Sequence, residues 1–318
     1  MIVVPTVLKR RFAADLDPLH PPGLPLGVAV SGGPDSLALL LLAAAVRPGE
    51  IRAATVDHGL RPASGEEAEM VAALCDRLAV PHSILPADWA EAPSANIQAE
   101  ARNMRYRRLC DWAQNEGLPA IATAHHADDQ AETLLMRLAR GSGVGGLAGV
   151  RASRALAEDV RLVRPLLGWR KAELVELVGA AGIEPVDDPS NRDPAHDRVR
   201  FRRIVEQADW LDPARLSATA SALRDADEAL DWATAPLMVQ RIERKADLIS
   251  VDPSGLPGEI RRRLLLAALA QLGIPAPRGP DLARAMTALA EGRTVTLADI
   301  KLEGGPTWRL SPAPPRRG

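Results

Sequence analysis

The chain has 318 residues, of which 47% are hydrophobic and 25% are charged, and its formal net charge is −2 at pH 7. This length is sufficient for two domains, and the composition is typical of a soluble globular protein. The charge balance excludes a generic polyanion binder, so any nucleic-acid surface must be a local patch. One tyrosine and two phenylalanines are too few for an aromatic platform that stacks single-stranded bases.

Cysteine content and apolar segments indicate a cytoplasmic protein. The two cysteines, Cys75 and Cys110, form no Cys-x-x-Cys motif, which disfavours a disulfide framework or a structural zinc site. The apolar run at residues 37–46 is too short to cross a bilayer. The first residues carry their charges after the apolar part, the wrong order for a secretory signal. We therefore expect no association with a membrane.

The first predicted elements are a helix over residues 7–16 and a buried strand over residues 26–30. Two glycines, Gly32 and Gly33, then lead into a strong helix former at residues 37–46. Glycine permits close backbone approaches, and the first-turn amides of a helix carry partial positive charge. The strand, loop and helix therefore suit a bound anion such as phosphate. No Gly-Lys-Ser/Thr ends the loop, so it is not a Walker A motif.

Strands and helices alternate in the next part of the chain. Strands are predicted at residues 51–58, 81–86 and 120–124, and such alternation indicates a parallel sheet covered by helices on both faces. A Ser-x-x-Glu capping box at Ser64 opens a helix whose apolar stripe contains Cys75. We expect Cys75 to be a buried thiol rather than a nucleophile.

Polar residues follow three of these strands. They are residues 31–36, the pair Asp57-His58 and the pair His125-His126. Ligands of parallel sheets bind outside the carboxyl ends of the strands. The three segments are therefore expected to meet at one edge.

The helix that follows His126 begins with three acids, Asp128, Asp129 and Glu132. Their spacing of three and four residues places the carboxylates on one side of the helix. Acids in a first turn also complement the helix dipole. That effect accounts for one acid better than for three acids beside a histidine pair, so we interpret the group as part of a site.

The C-terminal part of the chain has a different composition. Five arginines occur between residues 192 and 203, where a solvated helix face is the ordinary explanation of the charges. Beyond residue 211 the chain is rich in Ala, Leu and Arg, with weak strand signals at residues 248–251 and 294–297. We predict a catalytic domain at residues 1–211 and a smaller, mainly helical domain at residues 212–318.

Several motifs resemble a known family. Residues 31–36, SGGPDS, resemble the pyrophosphate loop of ATP pyrophosphatases, and residues 125–133, HHADDQAET, extend the resemblance to the tRNA(Ile)-lysidine synthetase family in its short form. Further matching motifs lie at residues 56–62, 99–106, 140–143, 164–167 and 188–191. Residues 212–318 match only as a helical appendage of suitable size. His196 and Val199 replace a tyrosine and an asparagine that the family usually carries.

The resemblance implies an adenine-nucleotide α-hydrolase-like fold and a ligation in two steps. ATP adenylates the wobble cytidine of the isoleucine tRNA with a CAU anticodon, and the amine of free L-lysine then displaces AMP. The base consequently pairs with A instead of G, so the codon read changes from AUG to AUA. ATP is a substrate, Mg²⁺ is the expected ion, and a homodimer is one option for the oligomeric state.

The site residues were assigned from the motifs and their chemistry. ATP binding is assigned to Ser31, Gly32, Gly33, Pro34, Asp35, Ser36, Asp57 and His58. Lysine binding is assigned to Asp128, Asp129 and Glu132, and tRNA binding to Arg198, Arg200, Arg202 and Arg203. Catalytic roles are assigned to Asp35, which would also hold Mg²⁺, to Arg102 and Arg105, which would brace the α-phosphate or the flipped cytosine, and to His126. One of the clustered acids or His126 would take the proton of the lysine ammonium group.

Two other functions remain open at this level. A tRNA thiolase or another adenylating amide ligase could use the same loop, but thiolation generally needs a reactive cysteine pair or an iron–sulfur site. A tRNA-binding protein with a decayed nucleotide site is the other alternative, and the intact loop at residues 31–36 disfavours it.

Overall fold

The computed structural model describes residues 2–57, 59, 64–87, 89, 97–186, 197–208 and 210–313, without the side chains of residues 97, 98, 197 and 198. The chain forms two compact units. Unit 1 comprises Met1–Gly141 and Gly146–Ala222, and unit 2 comprises Ser142–Gly145 and Leu223–Gly318. The sequence predicts a domain boundary near residue 211, just before a long helix over Pro213–Arg241. The two compact units instead divide within this helix, between Ala222 and Leu223.

Unit 1 contains a six-stranded sheet. Its strands are β1 (Leu26–Ala29), β2 (Ile51–Asp57), β3 (His82–Pro86), β4 (Ala120–Ala122), β5 (Ser153–Ala155) and β6 (Arg161–Val163). Their spatial order is β3-β2-β1-β4-β6-β5. Strands β3, β2, β1, β4 and β6 run parallel to one another, and the edge strand β5 is antiparallel to β6. The predicted parallel sheet is therefore confirmed, with an antiparallel strand added at one edge.

Helices cover both faces of this sheet. The helices before residue 212 are α1 (Thr6–Leu16), α2 (Pro34–Val46), α3 (Ser64–Arg77), α4 (Ile97–Asn115), α5 (Ala127–Ala139), α6 (Val144–Leu147), α7 (Lys171–Ala180) and α8 (Asp197–Gln207). Neighbouring residues of one strand enter different apolar clusters: Ala122 packs with α1, α2 and α7, and Ile121 packs with α4. Since successive side chains of a strand point to opposite faces, each face has its own core.

Helix α2 has no polar face, and protein surrounds it on all sides. Its residues from Ser36 to Ala43 are all buried, as expected for a helix without a polar face. Pro34 occupies the first turn, where a missing amide N–H costs nothing. Helix α3 extends over Ser64–Arg77, and Cys75 on its inner face is fully buried, as its place on the apolar stripe predicts.

Unit 2 combines a sheet with helices. Helix α9 (Pro213–Arg241) continues into this unit, where α10 (Gly258–Gln271) and α11 (Gly279–Ala290) follow. The strands are β7 (Ile242–Lys245), β8 (Leu248–Val251), β9 (Thr294–Leu297), β10 (Ile300–Glu303) and β11 (Trp308–Pro312), in the antiparallel order β7-β8-β11-β10-β9.

The sequence predicted only two of these five strands, β8 and β9, so the expectation of a mainly helical domain understated the sheet. Strands of four or five residues have weak local signals, and pairing with neighbours decides them. No helix among the described residues is long and apolar enough to cross a membrane.

Gly27 offers a test of the packing against the central strand. A Cβ added there would lie 2.8 Å from Cζ3 of Trp112 and 3.2 Å from a methyl group of Leu118. We expect Gly27→Ala to lower the free energy of unfolding by about 1–3 kcal/mol, because the rigid indole must move. Urea unfolding followed by circular dichroism measures this change.

The matched control is Gly179→Ala. Gly179 lies in α7 with no atom within 4 Å of an added Cβ. Alanine is the better helix former, so this variant should be about 0.5–1 kcal/mol more stable than the parent. Equal unfolding free energies for the two variants would contradict the packing described for Gly27.

Candidate active site

The order of the strands creates a crevice at one edge of the sheet. Strand β1 lies between β2 and β4, so the chain turns to opposite sides as it leaves β1 and β4. Loops that separate at such a switch point leave a crevice at the carboxyl ends of the strands. The loop after β1 contains residues 31–36, and the loop after β4 contains His126.

The loop after β1 has the backbone geometry of an anion cradle. Gly32 has φ of +82°, and a Cβ there would lie 2.9 Å from Val186, so only glycine fits without strain. Gly33 is the N-cap of α2, which leaves the first amide N–H groups of that helix available to a ligand. The Ser36 hydroxyl accepts the Ser31 amide N–H at 3.1 Å and donates to the Gly33 carbonyl at 3.0 Å. Ser36 therefore braces the loop from within.

Asp35 and His126 connect the two loops. One carboxylate oxygen of Asp35 lies 3.4 Å from Nε2 of His126. The other oxygen, Oδ1, is buried and has no hydrogen-bond partner among the described residues. The cradle and the acidic helix therefore meet in one place, as the strand order predicts.

His126 is surrounded by carboxylates. Its Nδ1 lies 3.6 Å from Asp128, its Nε2 lies 3.6 Å from Asp129, and only 4% of the residue is exposed. Burial by itself would lower the pKa of His126, but the nearby carboxylates of Asp128, Asp35 and Asp129 raise the pKa to about 10. The imidazole is therefore a cation at neutral pH in this arrangement, and it holds three acids together.

The acids at the start of α5 have partners of their own. Asp128 accepts the Lys171 amide N–H at 2.8 Å and lies 3.5 Å from Nε of Arg170. Burial would raise the pKa of Asp128, but the neighbouring His126 imidazole, the hydrogen bond from the Lys171 amide and the charge of Arg170 lower it to about 2. Asp129 accepts the His126 amide N–H at 3.1 Å, so it caps its own helix. The acids therefore form a network with defined partners rather than an open cluster.

Glu132 and Arg202 form an ion pair that joins α5 to α8. Nε of Arg202 donates to Oε1 of Glu132 at 2.6 Å, and Glu132 is 2% exposed. The sequence assigned Glu132 to lysine and Arg202 to tRNA. The structure instead places the two residues against each other, because α5 and α8 pack together.

The remaining predicted residues occupy different positions. Asp57 accepts the Gly59 amide N–H at 2.9 Å and the Ser64 hydroxyl at 2.6 Å, so it contacts the first residue of α3. Arg102 and Arg105 lie beside Tyr106 on α4. Arg200 and Arg203 are exposed on α8. His58, the side chain of Arg198 and residues 187–196 lie outside the described residues.

Sequence reasoning missed Arg170 as part of this site. Arg170 precedes α7, and its side chain reaches both Asp128 and Asp212, the latter at 3.1 Å. No local signal marks such a residue, since its role depends on α7 beginning beside the start of α5. The contact between the Lys171 amide and Asp128 arises in the same way.

Comparison with known proteins agrees with this site. The family of the PP-loop domain matches residues 7–208, so the fold and the loop define a PP-loop protein. A tRNA(Ile)-lysidine synthase of Novosphingobium aromaticivorans is 47% identical over 310 residues, covering 96% of this chain and 94% of that protein. A tRNA(Ile)-lysidine synthase of Zymomonas mobilis is 46% identical over 296 residues, covering 92% of this chain and 89% of that protein. The chain belongs to the tRNA(Ile)-lysidine synthase family.

A solved structure shows how widely the fold is shared. The U34-tRNA thiolase NcsA of Methanococcus maripaludis, with its 4Fe-4S cluster, superposes with a TM-score of 0.58 at 17% identity, covering 70% of this chain and 78% of that protein. This likeness establishes the fold alone. The thiolase alternative is therefore supported only by a distant relative.

The two thiols provide a test of the buried face of α3. Burial and the charge of Asp76 raise the pKa of Cys75 from 9.0 to about 12, whereas Cys110 is only partly buried. We expect iodoacetamide to alkylate Cys110 faster than Cys75 in the native protein, because less thiolate forms at Cys75. Peptide mass spectrometry after timed quenching measures both rates.

The sign of the pH dependence follows from the same shift. A thiol whose pKa is raised by folding stabilises the protein below its unfolded pKa, and the contribution is lost as the pH rises from 9.0 to about 12. Cys75→Ala should remove this loss of stability, and Cys110→Ala is the control. Equal alkylation rates for Cys75 and Cys110 would show that α3 is not packed as described.

The Glu132–Arg202 pair is tested by a double-mutant cycle. We expect Glu132→Gln and Arg202→Met each to destabilise unit 1 by about 1–3 kcal/mol, since each leaves a charge without its partner. The double variant should be more stable than the sum predicts, with a coupling energy of about 0.5–3 kcal/mol. Urea unfolding of the four proteins gives the coupling. Replacing exposed Arg203 with Met is the control, and additive effects at 132 and 202 would contradict the pair.

Proposed function

We propose that this protein joins free L-lysine to the wobble cytidine of the isoleucine tRNA with a CAU anticodon, using ATP and releasing AMP and pyrophosphate. The observation that carries the proposal is the contact at 3.4 Å between Asp35 and His126. This contact supports an arrangement in which an amide-lined loop would bind phosphates beside carboxylates that would bind an amine. The identity of up to 47% to tRNA(Ile)-lysidine synthases over nearly the whole chain supports this substrate pair. A tRNA substrate places the reaction in the cytoplasm.

Residues 31–36 would bind the leaving pyrophosphate. The unpaired amide groups at the start of α2 stabilise negative charge as the bond between the α- and β-phosphates breaks. Ser31 and Ser36 keep the loop in this shape through the hydrogen bonds between them. The step transfers AMP to the oxygen at carbon 2 of the cytosine.

Asp35 is the residue that fits Mg²⁺. Its Oδ1 atom is buried and lacks a hydrogen-bond partner among the described residues, and one carboxylate together with substrate phosphates is a usual ligand set for this ion. The bound ion would neutralise charge on the pyrophosphate. His126 holds the other oxygen of Asp35 and so orients the carboxylate.

The acids of α5 would bind the lysine substrate. The contacts of Asp128 described above all use Oδ2, so Oδ1 is the oxygen that can accept from an ammonium group. Glu132 lies one turn further along α5 with its charge balanced by Arg202. Within the described part of the chain, the carboxylates of Asp35, Asp128 and Asp129 are countered by two nearby cations, His126 and Arg170, so a negative charge remains to attract an ammonium group.

Helix α8 would contact the tRNA through its exposed arginines. Arg200 and Arg203 are exposed, whereas the less exposed Arg202 donates to Glu132. We therefore assign phosphate contacts to Arg200 and Arg203, and a positioning role to Arg202. The appended part of the chain, residues 212–318, would supply further tRNA contacts.

The test is a reaction with ATP, L-lysine and unmodified tRNA, followed by mass analysis of the anticodon nucleoside. We expect the mass of lysidine with all three substrates, and pyrophosphate release that depends on tRNA. Asp35→Asn should slow pyrophosphate release by about 100-fold or more, because the loop loses its only acid. Asp111→Asn, an exposed acid on α4, is the matched control. An unmodified cytidine with wild-type protein would overturn the proposal.

A further inference from the structure

The single tyrosine of the chain lies among four arginines. The guanidinium carbons of Arg102, Arg154 and Arg105 lie 5.0, 5.1 and 5.6 Å from the centre of the Tyr106 ring. The charge of Arg164 also acts on the Tyr106 hydroxyl and lowers its pKa, and Nη1 of Arg164 donates to the Arg151 carbonyl at 2.6 Å. We name these residues the arginine cluster: Arg102, Arg105, Arg154 and Arg164 around Tyr106.

Three separate segments build the arginine cluster. Arg102 and Arg105 belong to α4, Arg154 belongs to the edge strand β5, and Arg164 follows the last residue of β6. Strand β6 runs parallel to β4, so Arg164 lies at the same edge of the sheet as the loop that carries His126. Strand β4 separates β6 from β1 and the phosphate loop.

The charge of the arginine cluster is not balanced by acids. The largest charges that act on Arg105 and Arg164 are those of Tyr106 and of the other arginines, and neither residue forms an ion pair with an acid in the described part of the chain. Burial and the neighbouring arginines lower the pKa of both groups. Arg164 is only 3% exposed, and its Nε has no hydrogen-bond partner within the described part of the chain.

A buried arginine with a structural role in unit 2 provides a comparison. Arg263 is 7% exposed, and it is paired with three acids, Asp227, Asp231 and Glu259. A buried cation without such partners costs several kcal/mol. Within the cluster only Arg164 is buried, and no ion pair with an acid is found for it among the described residues. The exposed side chains of Arg102, Arg105 and Arg154 lie around the same tyrosine ring, so the arginine cluster is suited to receive an anion.

We propose that the arginine cluster binds a backbone phosphate of the RNA substrate. Guanidinium groups match the oxygens of a phosphate as paired donors. The guanidinium groups already lie close to the Tyr106 ring, which favours a phosphate over a stacked base. Arg154 is exposed on the outermost strand, where a macromolecule can reach it, and the phosphates of ATP have their own loop beyond β4. This inference rests on the proposed function and adds Arg154, Arg164 and Tyr106 to it.

Binding of tRNA to Arg154→Gln tests the proposal. Arg154 makes one further contact, at 3.4 Å to the Ala155 carbonyl, so the variant should fold normally. We expect the Kd for tRNA to rise about five- to tenfold, as for the loss of one charge-assisted hydrogen bond. The slope of log Kd against log salt concentration should fall by about 0.7–0.9, and the KM for ATP should not change.

Two controls accompany this variant. Arg154→Lys retains the charge and should retain most of the salt slope. Arg161→Gln removes an arginine from the neighbouring strand, where its guanidinium donates to the Ser153 hydroxyl at 2.8 Å, and it should bind tRNA normally. An unchanged Kd and slope for Arg154→Gln would overturn the proposal. A rise in the KM for ATP with unchanged tRNA binding would assign the phosphate to ATP instead, and would also overturn it.

Tyr106 supplies a readout that is independent of catalysis. The arginines lower the pKa of its hydroxyl, and a bound phosphate would neutralise them and raise that pKa. Because the chain has one tyrosine, isotope-labelled tyrosine gives one ring signal by NMR. We expect that signal to titrate at higher pH when an anticodon stem-loop is added, and an unchanged titration would contradict the proposal. Since no lysidine need form, this result is distinguishable from failure of the proposed function.

Discussion

The parallel pairing of β1 with β2 on one side and with β4 on the other is the constraint on which the site depends. It brings the N-termini of α2 and α5 to one crevice, so the unpaired amides of the phosphate loop face a histidine and its acids. Gly27 permits this arrangement on one face, because the Trp112 indole lies where a side chain would be. The geometry of the site is therefore a consequence of the order of the central strands.

Ion pairs and hydrogen bonds inside this crevice fix the positions of its side chains. His126 joins Asp35 to the acids of α5, the start of α7 binds Asp128, and Arg202 neutralises Glu132. Buried charges are tolerated when each has a partner and hydrogen bonds. The arginine cluster breaks this pattern, since its cations face one another. A local excess of one charge is expected where the partner is a ligand.

The shared architecture does not by itself choose the reaction. A U34-tRNA thiolase has a related fold at 17% identity, and folds of this kind carry several chemistries. In this chain, the residues of the site distinguish between a thiolation and a reaction with an amine. Cys75 is buried with a raised pKa, and Cys110 lies on α4. The acids and His126 at the start of α5 instead provide the environment that an amine requires.

The sequence by itself determined the first four strands, the glycine loop, helix α3 and the burial of Cys75, because these depend on patterns between near neighbours. It also placed Asp35 and His126 at one edge, through the rule that parallel strands end together. Only the tertiary structure decided the short strands β5, β6, β7, β10 and β11, whose pairing defines them. The same holds for the pair of Glu132 with Arg202 and for Arg154 beside Tyr106. Electrostatic contacts between residues far apart in the chain depend on packing in three dimensions, and no local pattern records that packing.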